Sequence, residues 1–365
     1  MADDRERDVV VAGGGPAGLA VALAAARRGL DVLVLERNAL PADKACGEGL
    51  LPAGVRALEA LGVLPLVAPV DRAPIRAIRW IDQGGLAAEA RLPGEGGVGI
   101  RRTALSAALL AAARMAGAEV RDRTALLDHR RDGRGVEVIT AASAQRARLL
   151  VAADGLLSAV RAREGLDRRA RGKARFGLRR HFAVRPWSEA VEVHFGEGVE
   201  AYVTPCGRER VGVAVLCEAA ARAPYAELLS RFPAVTARLG GAPLDSTAAG
   251  AGPLLREVAA RTRDRLVLLG DAAGYVDAIT GEGLSLALLA ALDLGEILPE
   301  ALARGATREA FRTFDRVQAR RFRRYAAAAR LVLRLARRPA VRRRILSAAS
   351  RHPEALSRAV SWAVG

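Results

Sequence analysis

Residues 9–26 of this 365-residue chain run without a charge, and at their centre stands Gly13-Gly14-Gly15-Pro16-Ala17-Gly18. The run approaches the length of a membrane span, but small, helix-poor residues and a proline at its midpoint suit a tight turn instead. Residues 9–12 then read as a buried parallel strand, 16–28 as a helix closed by Gly29, and 32–35 as a second strand, which is half of a Rossmann unit. The G-x-G-x-x-G spacing lies between that strand and that helix, the context in which it carries meaning. Without side chains at Gly13, Gly15 and Gly18 the backbone can approach a pyrophosphate, whose charge meets the helix N-terminus opened by Pro16 and Ala17. Glu36 ends the second strand, where a carboxylate accepts hydrogen bonds from a ribose. These features specify a dinucleotide but not which one.

Residues 94–99, GEGGVG, fit the same pattern letter for letter. The strand before them alternates like an antiparallel one, and the next candidate acid, Glu119, starts a strand rather than ending it, so a glycine-rich crossing is expected there. Residues 75–92 alternate as antiparallel strands joined at Gly84-Gly85, and 103–116 form a helix capped by Thr103 and closed by Gly117. Residues 149–153 make another short buried strand, and 161–180 read as a basic connector. Three segments, 191–195, 199–204 and 211–216, alternate as a meander fit for a substrate sheet. Beyond residue 307 the chain is helical, with breaks near Pro339 and Pro353.

In residues 265–274, RLVLLGDAAG, a buried strand delivers Gly270-Asp271 to its carboxyl end, where ligands of α/β sheets bind. A carboxylate there can accept from ribityl hydroxyls. Thr280-Gly281-Glu282-Gly283 opens an apolar helix over 284–298, whose free N–H groups would stabilise the negative charge of a reduced flavin.

Together these motifs resemble the flavoprotein superfamily of p-hydroxybenzoate hydroxylase-type monooxygenases and geranylgeranyl reductases. Three match in order and spacing over residues 9–284: GGGPAG with Glu36, Ala153-Asp154-Gly155-x-x-Ser158-x-x-Arg161, and GDAAG with GEG. The resemblance implies FAD held by Gly13, Gly15, Pro16, Ala17, Gly18, Glu36, Arg37, Gly270, Asp271 and the Gly281, Gly283, Leu284 turn. It further implies Arg102 near the cofactor, backbone around Val120 at the adenine, Asp154 and Gly155 between flavin and nicotinamide binding, and NAD(P)H as reductant. Aromatic hydroxylases carry GDAAH and a later proline, whereas this chain has Gly274 and Ala278. GDAAG together with Lys44-Ala45-Cys46-Gly47-Glu48-Gly49-Leu50 is more similar to the geranylgeranyl reductase branch, in which a Cys-Gly-x-Gly loop lies against the flavin. Cys46, the candidate catalytic residue, either donates a proton there or packs. Tyr202-x-x-Pro205 resembles that branch's strand beneath the substrate pocket, with Val203 or Thr204 where a second aromatic is usual. Trp80, Trp187 and Trp362 stand alone, without the paired tryptophans of flavin halogenases.

The expected architecture is α/β: a Rossmann-type FAD-binding domain from 1–72, 98–171 and 251–300, an inserted antiparallel β-sheet substrate domain from 73–97 and 172–250, and a C-terminal helical tail over 301–365. From reduced flavin two chemistries diverge: oxygenation of a small lipophilic or natural-product substrate, or hydride delivery to an alkene of a prenyl or other lipid. The incomplete aromatic lining and the commoner use of the scaffold favour NAD(P)H-dependent monooxygenation, an argument from analogy. The non-enzyme alternative is a flavin-binding accessory protein whose basic tail contacts membrane or nucleic acid.

Three cysteines without C-x-x-C spacing, and four histidines outside any triad, favour neither disulfides nor a metal and fit a reducing cytoplasm. The polar N-terminus lacks the features of a secretory signal. A net charge of +17 raises nucleic acid or an anionic membrane as a partner, but an alanine-, arginine- and glycine-rich bias along the chain favours a solvated arginine-rich surface instead, and 4% aromatics leave few platforms for single strands. Arg330, Arg334, Arg337 and Arg338 share a helical face opposite Leu331, Val332, Leu333 and Leu335. This basic amphipathic helix packs on the domain with a solvated face, and is the candidate for a peripheral membrane contact.

Overall fold

The first helix, Pro16–Ala26, is buried on every side, which is why its sequence shows no amphipathic stripe. A computed structural model of the chain describes residues 5–170 and 172–364; residues 1–4 of the polar N-terminus and the expected domain boundary at 171 lie outside them. The helix sits between a parallel sheet and the helices Arg102–Met115 and Gly283–Ala303. Contact with the second is close because Gly295 has no side chain: a Cβ there would stand 2.4 Å from the Cβ of Ala24.

The sheet has eight strands among the described residues, five of them parallel, with Val136–Ile139, Asp128–Arg131 and Thr262–Arg263 added antiparallel. At its centre Arg7–Ala12 pairs with Val32–Leu35 on one side and Ala144–Ala152 on the other, and Ala144–Ala152 pairs with Leu266–Leu268. Glu119–Arg121 extends the sheet beyond Val32–Leu35. The four central strands carry runs of Val, Leu and Ala buried on both faces, as a sheet covered on both sides requires. Register decides where the strands deliver the chain. Ala12 is paired with Leu35 and with Ala152, and Ala152 with Leu268, so four chain segments leave the sheet side by side at one edge. Those segments begin at Gly13, Glu36, Ala153 and Leu269.

A second sheet of seven strands carries the meander Ala190–Phe195, Val199–Pro205 and Val211–Glu218, with Ala77–Ile81 and Ala87–Arg91 joined to it at one side. Contrary to expectation, the basic segment is not a connector throughout: Arg175–Phe182 is a full strand paired with Val211–Glu218. Its buried face is Arg175, Gly177, Arg179 and His181, and buried charge is what masks a strand from a reading based on apolar alternation. One face of this sheet packs on the helices Tyr225–Ser230 and Pro233–Leu239. The other, with Val193, Tyr202 and Leu216, meets Tyr325 and Ala329 of the tail.

Gly49–Leu50, Arg72–Ile75 and Gly97–Ile100 form a three-stranded sheet that straddles the boundaries expected at 72/73 and 97/98. This accounts for the second glycine pattern. A Cβ at Gly97 would lie 2.3 Å from the Leu50 carbonyl oxygen, and one at Gly99 would lie 1.7 Å from that of Pro205. Those glycines serve backbone packing, not phosphate. Helix Arg102–Met115 starts one residue earlier than expected and Thr103 does not cap it.

The tail is three helices, Arg312–Ala336, Pro339–Arg351 and Pro353–Val364, divided at the two expected prolines. Among the described residues no helix is long and apolar enough to cross a membrane.

Candidate active site

One continuous cavity of about 1500 Å³ runs from the glycine turn at Gly15 to the tail helices. Of the residues singled out from sequence, Gly15, Pro16, Ala17, Arg37, Cys46, Gly47, Arg102, Asp154, Gly155, Gly270, Asp271, Gly281, Gly283, Leu284 and Tyr202 all line it. They come from distant parts of the chain: the register of the parallel strands gathers the segments that follow them, and the antiparallel second sheet brings Tyr202.

The other expected residues support this wall from behind. Gly13 is at φ +107°, and a Cβ on it would lie 2.4 Å from the Ala153 carbonyl oxygen; one on Gly18 would lie 1.9 Å from that of Gly13. These two glycines let the turn, the helix and the neighbouring strand close together. Glu36, only 2% exposed, accepts from the Gly14 N–H at 2.8 Å and from both the N–H and side-chain amide of Asn38, at 3.0 and 2.9 Å. It therefore holds the turn in shape, and Oε2, which accepts only from Gly14, keeps acceptor capacity for a hydroxyl. Val120 sits within the sheet paired with Val34, and Pro205 ends its strand against Gly99; neither is a cavity wall.

The described residues fit an FAD. At Gly15, Gly47, Gly155 and Gly281 an added Cβ would meet no protein atom within 4 Å, so these glycines leave space on the cavity side that no protein packing demands. Helices Pro16–Ala26 and Gly283–Ala303 both begin at this wall without a side-chain cap or an acid in the first turn, leaving N–H groups and positive dipole ends for an anion. Arg37, Lys44 and Arg102 add cations. Two buried polar atoms near them, Asp154 Oδ1 and Arg102 Nε, have no protein partner, and such atoms require one. Burial pushes the Asp271 carboxyl up, while Arg102 and Lys44 pull it back. The Cys46 thiol lines the cavity and accepts from the Glu48 N–H at 3.3 Å.

Beneath the Cys46 loop lies a buried network that sequence reading missed. Glu48, at φ +59°, accepts from Arg101 Nη1 at 3.0 Å and from the Arg102 N–H at 2.8 Å through Oε1, while Oε2 accepts from His181 Nε2 at 2.6 Å. Arg101 also donates twice to Asp43, at 3.2 and 3.1 Å, and Arg179 donates to Asp43 and to the Lys44 carbonyl. Burial alone would push the Glu48 carboxyl up, but His181, Arg101 and Arg179 bring it below its ordinary value. For His181, burial and the two arginine charges outweigh Glu48 and hold the ring neutral, with its pKa lowered. Arg179 donates to Nδ1 at 3.1 Å, which fixes the proton on Nε2. The Cys206 donor atom lies within 4.8 Å of those of Glu48 and His181, but both Glu48 oxygens already serve protein donors. The available signal was the alternation of Phe176, Leu178 and Phe182 with the intervening polar positions, which marks a strand whose other face is charged.

Farther along the cavity the walls are apolar: Ile78, Val191, Val193, Leu335, Leu346 and Val360 among them. Tyr202 stands in this section with a hydroxyl that makes no hydrogen bond to the protein; burial and the nearby Glu200 carboxylate push its pKa well above 10. Arg175 bridges Glu200 to Asp277, 3.1 Å away, tying the second sheet to the loop between the two glycine-rich turns.

Residues 6–224 match the family described as FAD binding domain. The chain is 33% identical over 332 residues to a digeranylgeranylglycerophospholipid reductase of Methanopyrus kandleri, covering 84% of each protein. It is 29% identical over 336 residues to a menaquinone reductase of Mycobacterium tuberculosis, covering 83% of this chain and 81% of the relative. In structure it superposes on a flavoprotein/dehydrogenase from Cytophaga hutchinsonii with a TM-score of 0.80 and 17% identity, covering 98% and 99% of the two chains. A nucleotide turn, two uncapped helix ends and a cysteine loop on one cavity thus go with sequence likeness over most of the chain: it is an FAD-dependent oxidoreductase that belongs to the p-hydroxybenzoate hydroxylase and geranylgeranyl reductase superfamily, closer to the geranylgeranyl reductase-like branch.

Proposed function

We propose that this protein reduces carbon–carbon double bonds in the isoprenoid chain of a lipid, with NAD(P)H as the source of electrons. The observation that carries the reading is the continuity of the cavity. The space that fits FAD opens without a partition into a long apolar compartment, larger in total than the 300–1,000 Å³ typical of small-molecule sites. An extended aliphatic chain suits that shape better than a single aromatic ring. The names of the two relatives, both reductases of isoprenoid-bearing molecules, support it. They shift the weight from oxygenation, which the sequence pattern favoured, to alkene reduction.

Bound FAD would supply hydride. The chain's own residues bind and orient: the two helix N-termini and Arg102 meet negative charge, the Cys46 loop supports the wall on which the ring would rest, and the apolar compartment aligns the alkene and excludes water. The test is anaerobic turnover. The yellow, purified protein is given NAD(P)H and a geranylgeranyl lipid without oxygen, and the product is examined by mass spectrometry. A gain of two hydrogens per double bond is expected; substrate-stimulated oxygen uptake with an oxygenated product would overturn the reading in favour of a monooxygenase.

A further inference from the structure

The chain's positive charge is not spread evenly. Residues 312–365 hold fifteen arginines against two acids, Asp315 and Glu354, so thirteen of the seventeen net charges lie in the tail. This corrects the view of the charge as a bias running along the whole chain. Part of it is used inside the fold, since Arg330 pairs with Glu257, Arg337 with Glu218 and Arg342 with Asp82. Arg320, Arg324, Arg334 and Arg338 are exposed.

Exposed apolar residues mark the same region. Leu331, Ile345 and Trp362, one from each tail helix, are 56%, 41% and 77% exposed, and all three line the cavity. Being both wall and surface, they form its rim. At 100° per residue, Arg320, Arg324 and Arg334 fall within about 60° of Leu331 on helix Arg312–Ala336. Arg334 and Leu331 therefore share a side of the helix rather than facing opposite ways as expected, and Arg338 follows at the start of the next helix. The Arg324 guanidinium lies 5.4 Å from the Trp362 ring centroid. Large apolar side chains at a pocket mouth, ringed by long cationic ones, are the composition of a surface that settles at a membrane interface.

We infer that this three-helix face docks the protein on an anionic lipid bilayer, with the cavity mouth turned to the membrane so that a lipid enters without crossing water. The inference rests on the proposed lipid substrate for its purpose, but the surface itself is read from charge and exposure. Arginines held near an anionic surface strengthen binding by roughly fivefold each, and the apolar rim adds burial into the headgroup region.

The test is flotation of the full-length FAD-bound protein with phosphatidylglycerol-containing vesicles, with pure phosphatidylcholine vesicles, and separately with duplex DNA. Binding to the anionic vesicles is expected to exceed that to phosphatidylcholine at least tenfold and to weaken as salt rises. The double variant Arg334→Glu, Arg338→Glu is expected to lose roughly twenty-fivefold or more, and Trp362→Ser to weaken binding while FAD content stays unchanged. Absence of vesicle binding, binding insensitive to salt and to these substitutions, or DNA binding as tight as vesicle binding with Trp362 irrelevant would each overturn the inference. Vesicle binding needs no turnover: a protein that floats but reduces no alkene would sink the proposed reaction alone, and an active reductase that ignores vesicles would sink the surface alone.

Discussion

The backbone N–H of Arg102 lies 2.8 Å from Glu48 Oε1, across a separation of 54 residues. A carboxylate from the cysteine loop therefore caps the helix that presents an arginine to the cofactor space. Such a cap couples two walls of the site, because the loop cannot move away without leaving the helix end and Arg101 unpaired.

Glu48→Ala is accordingly expected to destabilise the fold by about 1–3 kcal/mol, the cost of leaving the buried Arg102 N–H and His181 without an acceptor while Arg101 keeps Asp43, and to weaken FAD binding. Urea denaturation and fluorescence titration of released FAD measure the two effects. Unchanged stability would mean that the network does not hold the two walls together.

Gly15 and Gly18 separate binding from folding. At Gly15 φ is −75° and a Cβ would meet no protein atom, so Gly15→Ala is expected to leave the FAD-free protein as stable or about 0.5 kcal/mol more so. The methyl group would project into the space left for the cofactor and raise the FAD dissociation constant at least about tenfold, or about 1.4 kcal/mol. At Gly18 the same change would drive a Cβ into the Gly13 carbonyl and is expected to destabilise the fold by about 2–3 kcal/mol. Thermal unfolding with and without FAD distinguishes the two variants.

Acid should unfold the protein in two stages. His181 has a lowered pKa in the fold, so an unfolded chain takes up its proton first and stability begins to fall as pH drops below the ordinary value of 6.5. Asp43 is pushed up by burial but brought by Arg101 and Arg179 to about 2 from 3.8, so its contribution, complete above 3.8, is lost as pH falls toward 2. Urea midpoints recorded from pH 8 to pH 3 should show the first loss, and His181→Gln should flatten it while leaving the lower stage in place.

Chain length can be read from Ala349, a half-buried residue of the middle tail helix that lines the apolar end of the cavity. Ala349→Trp is expected to raise KM for a twenty-carbon isoprenoid lipid about tenfold or more while sparing a five- or ten-carbon substrate. Equal effects on both would place the alkene elsewhere.

Much of this site was legible before the fold was known, and for a specific reason. Gly13, Glu36, Asp154 and Asp271 each come just after a buried apolar strand, and parallel strands in register bring the residues beyond their ends to one edge. Apolar runs and glycine spacings are local, so a linear reading finds them. What escaped was of the opposite kind. Glu48, Arg101, Arg179 and His181 lie far apart in sequence and acquire meaning only through one another, and a strand whose inward face is charged looks like a basic linker. Thr103 misled for a related reason: a local cap was expected where a distant carboxylate does the work.

Tyr325, on the first tail helix, donates its hydroxyl to the Asp277 carbonyl at 2.6 Å and accepts from the Asp277 N–H at 3.1 Å. The loop it grips lies between Asp271 and the Gly281 turn, on the side where the flavin fits. Tail and cofactor loop are thus one mechanical part, and a shift in one is felt as strain in the other. Reciprocity then makes a definite demand: if lipid at the tail tightens the hold on FAD, FAD must tighten the hold on lipid by the same factor. On that condition, the proposed lipid surface would hold the apoprotein more weakly than the FAD-bound protein.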